Sequence, residues 1–210
     1  FWETSGMEAA VWGFLGPAAA RVTPGLLAAA RRVAMSDYGL VLFPHRDDSN
    51  HFCHSVWYCW QVGFARAAAR VGDAQLIRTL VGQQARTAVL NKTFYEVTDA
   101  RTGESWRWPG QLWHAAGFVS LILFGLLGIR YDLGGLTFTP AVAPEFAGAR
   151  IRGLRYRAAV LDVEIRGHGN RCVMSVDGRP VERIEADCVG AHSVVLVMTG
   201  EGGAASVCEH

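Results

Sequence analysis

Apolar and polar positions follow two different periods along this chain. From Thr4 to about Gly128 the apolar residues recur at three- and four-residue spacing, as on a helix with one buried face. From Leu136 to Thr199 they alternate every second residue or run β-branched, as in strands. The helical part is punctuated. Thr4–Leu15 is a helix stopped by Gly16-Pro17. Thr23 caps a second helix with Pro24 at its first position, and that helix ends near Asp37–Gly39. Residues 40–54 (LVLFPHRDDSNHFCH) read as a loop. Ser55 to about Val71 is a helix with small residues at Ala65, Ala67, Ala68 and Ala69. Gly72-Asp73 turns the chain, and Asp73 caps a fourth helix that reaches roughly Leu90. Residues 91–108 form a long loop, and a fifth helix runs from Pro109 to Gly128. Long loops alternate with short turns, which is the layout of α/α hairpins whose long loops gather on one face.

Strands are expected at Leu136–Pro140, Ile151–Tyr156, Ala159–Arg166, Cys172–Val176 and Ser193–Thr199, with a tight turn at Asp177-Gly178. The fold class is therefore α+β. Residues 1–131 are expected to form part of an (α/α) barrel, 132–199 a small antiparallel β-sandwich, and 200–210 a flexible, Gly/Ala/Ser-rich tail. The chain opens at Phe1 without a Met or a signal peptide, and reads as truncated at its N-terminus.

Composition narrows the function classes. Half of the 210 residues are hydrophobic, enough for a substantial core. Twenty Lys and Arg stand against 19 Asp and Glu, for a net charge of +1. With no basic run, neither nucleic acid nor an anionic membrane is the expected partner. Ala115–Ile129 is apolar apart from Ser120, but its roughly 15 residues fall short of the ~20 that span a bilayer. The five cysteines are odd in number and scattered, so they are no disulfide framework; a reducing, cytoplasmic setting is expected.

The chemistry concentrates in two loops. The first holds His45, Asp47, Asp48, His51, Cys53 and His54. None of the usual ligand spacings is present, so a metal site is not expected and no cofactor is implied; polar contacts to a ligand fit better. The second, KTFYEVTDARTGESWRWPGQLWHAAGF, sets Glu96 beside Tyr95 and close to Trp106, Trp108 and Trp113. Carboxylates do the proton work of glycoside cleavage, and flat indole faces match pyranose rings. On spacing alone, Glu96 also reads as a solvated loop residue beside a structural tyrosine. Trp57 and Trp60 sit three apart, where core packing is the default, although Trp57 stands at the loop end.

In this order, FWETSGMEAAVWGFLGPA, PHRDDSNHFCHSVWYCWQVGFARAAARVGD, the Glu96 loop and GGLTFTPAVAPEFAGARIRGLRYRAAVLDVEIRG resemble segments of the six-hairpin glycosidases. These (α/α)6-barrel enzymes include glycogen-debranching glucosidases, trehalases and mannosyl-oligosaccharide glucosidases. The run HFCHSVW departs from their pattern, with Cys53 and His54 where Asn or Gly follows the family's His. The resemblance implies the C-terminal portion of a glycoside hydrolase that cleaves α-linked oligosaccharides with inversion. It makes Glu96 the general base and Trp57, Tyr95, Trp106, Trp108, His51, His54 and Asp47 substrate contacts. The general acid would lie upstream, in a missing half-barrel that is also the expected structural partner; without it the chain should self-associate. A phosphorylase relative or a non-catalytic carbohydrate-binding remnant are the alternatives.

Overall fold

The structure, a computed structural model, describes residues 19–45 and 52–200. The expected helix Thr4–Leu15, the loop positions Asp47 and His51, and the tail beyond Gly200 lie outside the described residues. The fold is α+β: among the described residues, helices with short strands between them come first, and a mainly β stretch follows from Ile129.

Helix α1 spans Ala19–Val33 and contains Pro24, so it does not open at the expected cap. The backbone bond that Pro24 would donate is forgone, and Thr23 is buried instead. Leu27, Ala30 and Ala34 enter the helical core, and that packing overrides the local start signal. The segment expected as one helix from Ser55 divides into three. Strand β1 (Ser55–Val56) and a 3-10 turn (Tyr58–Trp60) precede α2 (Gln61–Val71), because Ser55 and Val56 pair with a distant strand. Gly72 ends α2 in the left-handed region at φ 74°, and the Asp73 carboxylate accepts from the Leu76 N–H at 3.0 Å to open α3 (Ala74–Asn91). This stop-and-start follows the sequence reading.

The span 91–108 is more than a loop. It contains β2 (Val97–Asp99) and β3 (Ser105–Trp106), which join β1 in a three-stranded antiparallel sheet ordered β1-β2-β3. Helix α4 (Leu112–Ser120) follows and widens into a π-helical turn at Leu121–Leu126. That turn lies close against α2: a Cβ on Gly125 would stand 2.8 Å from the Ala65 Cβ. The small residues of α2 therefore serve a close helix approach.

The remaining strands are β4 (Ile129–Tyr131), β5 (Gly135–Phe138), β6 (Arg150–Tyr156), β7 (Ala158–Gly167), β8 (Arg171–Val176), β9 (Arg179–Pro180), β10 (Ile184–Glu185) and β11 (Val189–Thr199). They form a small sheet ordered β10-β5-β4 and a five-stranded sheet ordered β6-β7-β11-β8-β9. Alternate residues of β7 (Leu161, Val163, Ile165) and β11 (Val194, Leu196, Met198) share one core with Ile129, Leu136 and Phe138 of the small sheet. Asp177 and Gly178, at φ 50° and 79°, turn β8 into β9 as their sequence signal predicts. The expectation of a purely antiparallel arrangement is corrected: β7 and β11 are parallel from Ala158↔Val189 to Gly167↔Met198. The excursion through β8, β9 and β10 returns β11 in the direction of β7, between β7 and β8. Turn residues reveal hairpins, but not which strand a later one will join.

Candidate functional site

The two loops singled out by their chemistry meet at the three-stranded sheet. Asp99 organises the β2–β3 turn. Its carboxylate accepts from the N–H groups of Arg101 (2.8 Å) and Thr102 (3.0 Å), and the Gly103 N–H donates to its carbonyl. Partial burial pushes the Asp99 pKa up, but the Arg101 guanidinium and these two N–H groups outweigh it and hold the carboxyl below its ordinary value. Gly103 is at φ 76° with the Tyr38 ring where a Cβ would go, so only glycine fits the turn. The Ala100 N–H donates to the His54 carbonyl at 2.7 Å, which docks residues 52–56 on the hairpin, and the Leu42 N–H donates to the Ser55 carbonyl at 2.8 Å on the other side.

Glu96 immediately precedes β2. Its N–H donates to the Arg107 carbonyl at 3.2 Å, and its Oε2 lies 3.9 Å from the Arg107 Nε. The side chain is 18% exposed, and Oε2 is shielded with no hydrogen-bond partner among the described residues. Arg107 and Trp108 are both left-handed, at φ 59° and 42°. For residues with a Cβ this costs roughly 1–2 kcal/mol each. Two such residues in succession, opposite Glu96, mark a backbone held in place by its surroundings.

Trp57 follows β1 and leads into the 3-10 turn. Its ring meets the Phe52 ring edge-on at 5.5 Å and the His114 ring at 6.0 Å, and its Nε1 is buried without a partner among the described residues. Trp106 lies half-buried in β3 opposite Val97, and Tyr95 and His54 are half-buried. Trp108 is 67% exposed and stands at the surface. Sequence, sheet and docking loop thus bring Trp57, His54, Tyr95, Glu96 and Trp106 together through one small sheet and its flanks.

The chain matches no known protein family and no curated protein.

Sequence reasoning missed a buried polar layer beneath this sheet. His114, on α4, is fully buried with its ring against both Trp57 and Tyr58, each at 6.0 Å. Neither ring nitrogen has a partner among the described residues. Burial alone pushes its pKa down to about 4, so the imidazole is neutral near pH 7. The Tyr58 hydroxyl donates to the Tyr38 carbonyl (3.0 Å) and lies 2.8 Å from the Thr87 hydroxyl; burial lifts its pKa to about 12. Gln61 and Gln84 are fully buried, with both side-chain polar atoms unpartnered among the described residues. The available signal was periodicity: His114, Gly117 and Leu121 share the buried face of α4 and its extension. Among the described residues no three His, Cys, Asp or Glu side chains gather as metal ligands do, and no helix is long and apolar enough to cross a membrane.

Proposed function

We propose that this chain is the C-terminal portion of a glycoside hydrolase acting on α-linked oligosaccharides with inversion, with Glu96 as its general base. In this reading the helices are part of an (α/α)6 barrel, and the β10-β5-β4 and β6-β7-β11-β8-β9 sheets are the β-sandwich that follows it. The observation that carries the proposal is the Glu96 carboxylate. Its Oε2 is shielded, has no hydrogen-bond partner among the described residues, and belongs to the same small sheet region as Trp57 and Trp106. An inverting site needs one carboxylate to draw a proton from water while a second, on the opposite face, protonates the leaving oxygen. Glu96 supplies the first function; the second belongs to a part of the enzyme beyond these residues. Trp57 and Trp106 offer apolar faces to sugar rings. The four free cysteines among the described residues favour a reducing compartment such as the cytoplasm.

The test combines turnover with binding. In the enzyme completed by its acid-bearing half, Glu96→Gln should lower turnover by about 10²–10⁴-fold and leave oligosaccharide affinity nearly unchanged, because the amide keeps the shape and loses the proton acceptor. Trp106→Ala should weaken affinity instead. Full turnover in Glu96→Gln would reduce Glu96 to an ordinary loop residue.

A further inference from the structure

The turn between β8 and β9 is tied to the start of β11 through Asp177 and His192. The Asp177 N–H donates to the Ser193 carbonyl at 2.8 Å, and the Ser193 N–H donates back to the Asp177 Oδ1 at 2.9 Å. The second carboxylate oxygen, Oδ2, lies 2.7 Å from the His192 Nδ1. The other ring nitrogen, Nε2, lies 2.9 Å from the Val189 carbonyl. One imidazole thus bridges the turn and the first residue of β11. Gly190, left-handed at φ 91°, stands between Val189 and His192 and lets the ring reach a carbonyl three residues back.

Both partners of the ring are acceptors. A carbonyl and an ionised carboxylate have lone pairs and no proton to give. A neutral imidazole carries one N–H and one lone pair, so it serves one partner and turns a lone pair toward the other. Only the imidazolium, with two N–H groups, serves both. The charges around the ring agree. Asp177 is the carboxylate in contact, and Arg179 of β9 acts on Asp177. On the β7 side His192 stands opposite Leu161; the next residue, Asp162, accepts from the Gly153 N–H of β6 at 2.8 Å. Ser175 and Val176 of β8 carry no charge. The bonds to Asp177 and to the Val189 carbonyl raise the His192 pKa above its ordinary 6.5. The bonds from His192 and the Ser193 N–H hold Asp177 below the ordinary carboxylate value, so it is ionised near pH 7.

We infer that His192 is a pH-sensitive latch: doubly protonated, it holds the start of β11 to the β8–β9 turn, and loss of one proton frees Val189. The proton leaves to water from Nε2, because Nδ1 keeps its proton for the carboxylate, the stronger acceptor. The direction is fixed. The folded pKa lies above the unfolded one, so the latch contributes fully below pH 6.5 and is lost as pH rises through the folded value. This is the opposite sense to the buried His114, and it is independent of the role of Glu96. The experiment follows the ring nitrogens of the full chain, labelled with 15N-histidine, from pH 5 to 9; the His192 signals are those absent from His192→Gln. At pH 6.5 more than half of the ring should be imidazolium, and above its midpoint the neutral form should carry its proton on Nδ1. Asp177→Asn, which tolerates the left-handed turn, should lower the midpoint. Hydrogen exchange at residues 188–191, corrected for the intrinsic effect of pH, should speed up about two- to tenfold across the midpoint, as the loss of one hydrogen bond allows. His192→Gln should abolish that dependence. A midpoint at or below 6.5, a midpoint indifferent to Asp177→Asn, or exchange that does not change across it would each overturn the latch.

Discussion

Single residues decide how this site behaves. Glu96 holds one shielded oxygen 3.9 Å from the Arg107 Nε, and His114 is buried and neutral. His114 also gives the fold a pH dependence with a definite sign. Its folded pKa of about 4 lies below the ordinary 6.5, so between those values the unfolded chain binds more protons than the folded one. Stability is therefore full above pH 6.5 and falls as pH drops toward 4, by up to about 3 kcal/mol at 1.36 kcal/mol per unit. Urea unfolding at pH 7 and pH 4.5 should show this loss in the parent chain, and His114→Leu should flatten it. An equal loss in both would assign the acid sensitivity to other groups. The His114 residue was visible in the sequence, but its neutrality was not, because that depends on rings contributed by residues 57 and 58 on another element.

At the scale of elements, the β2–β3 hairpin holds the site together. The Asx and glycine chemistry of the Thr102-Gly103 turn acts within four residues and was present in the local sequence. What the turn rests on was not: Tyr38, more than sixty residues earlier, fills the space beside Gly103. Gly103→Ala meets two penalties, a left-handed backbone and a collision with that ring. The first costs about 1–2 kcal/mol, and the second adds to it unless Tyr38 moves. The expected result is a drop in melting temperature and, in the proposed reading, weaker oligosaccharide binding, since the displaced hairpin carries Glu96 and Trp106 on its flanks. An unchanged melt with unchanged binding would show that the turn tolerates a side chain and that Tyr38 does not support it. Asp73 shows the contrasting case, where cap, helix start and glycine stop all lie within a few residues and were read correctly.

At the scale of the molecule, one face is unusually apolar. Leu112, Trp113 and Val119 of α4 are 79%, 51% and 56% exposed, and Trp108 just before them is 67% exposed. Leu112, Ala116 and Val119 share one helix face, so these side chains are neighbours rather than scattered. Contiguous patches of this kind drive association. The chain by itself should therefore self-associate at micromolar concentration in light scattering, and Leu112→Glu with Val119→Lys should shift it toward monomer. A monodisperse parent chain would mean that this face is tolerated in water. The same face is where a complementary part of a helical barrel would pack in the proposed reading.

The sequence by itself determined what acts over short distances: the change of period from helix to strand, the Gly72-Asp73 junction, the Asp177-Gly178 turn, the inward alternation of β7 and β11, and the two loops that carry the chemistry. Tertiary structure alone decided what depends on partners far along the chain. It pulled Ser55 and Val56 out of an expected helix into a ladder with residues 98 and 99, ran β11 parallel to β7, carried α1 through Pro24, and buried His114 between two aromatic rings. The physical reason is the same in each case. Backbone propensities and caps are worth about 1 kcal/mol and are readable locally, whereas strand pairing and burial draw on many distant contacts at once and prevail where the two disagree.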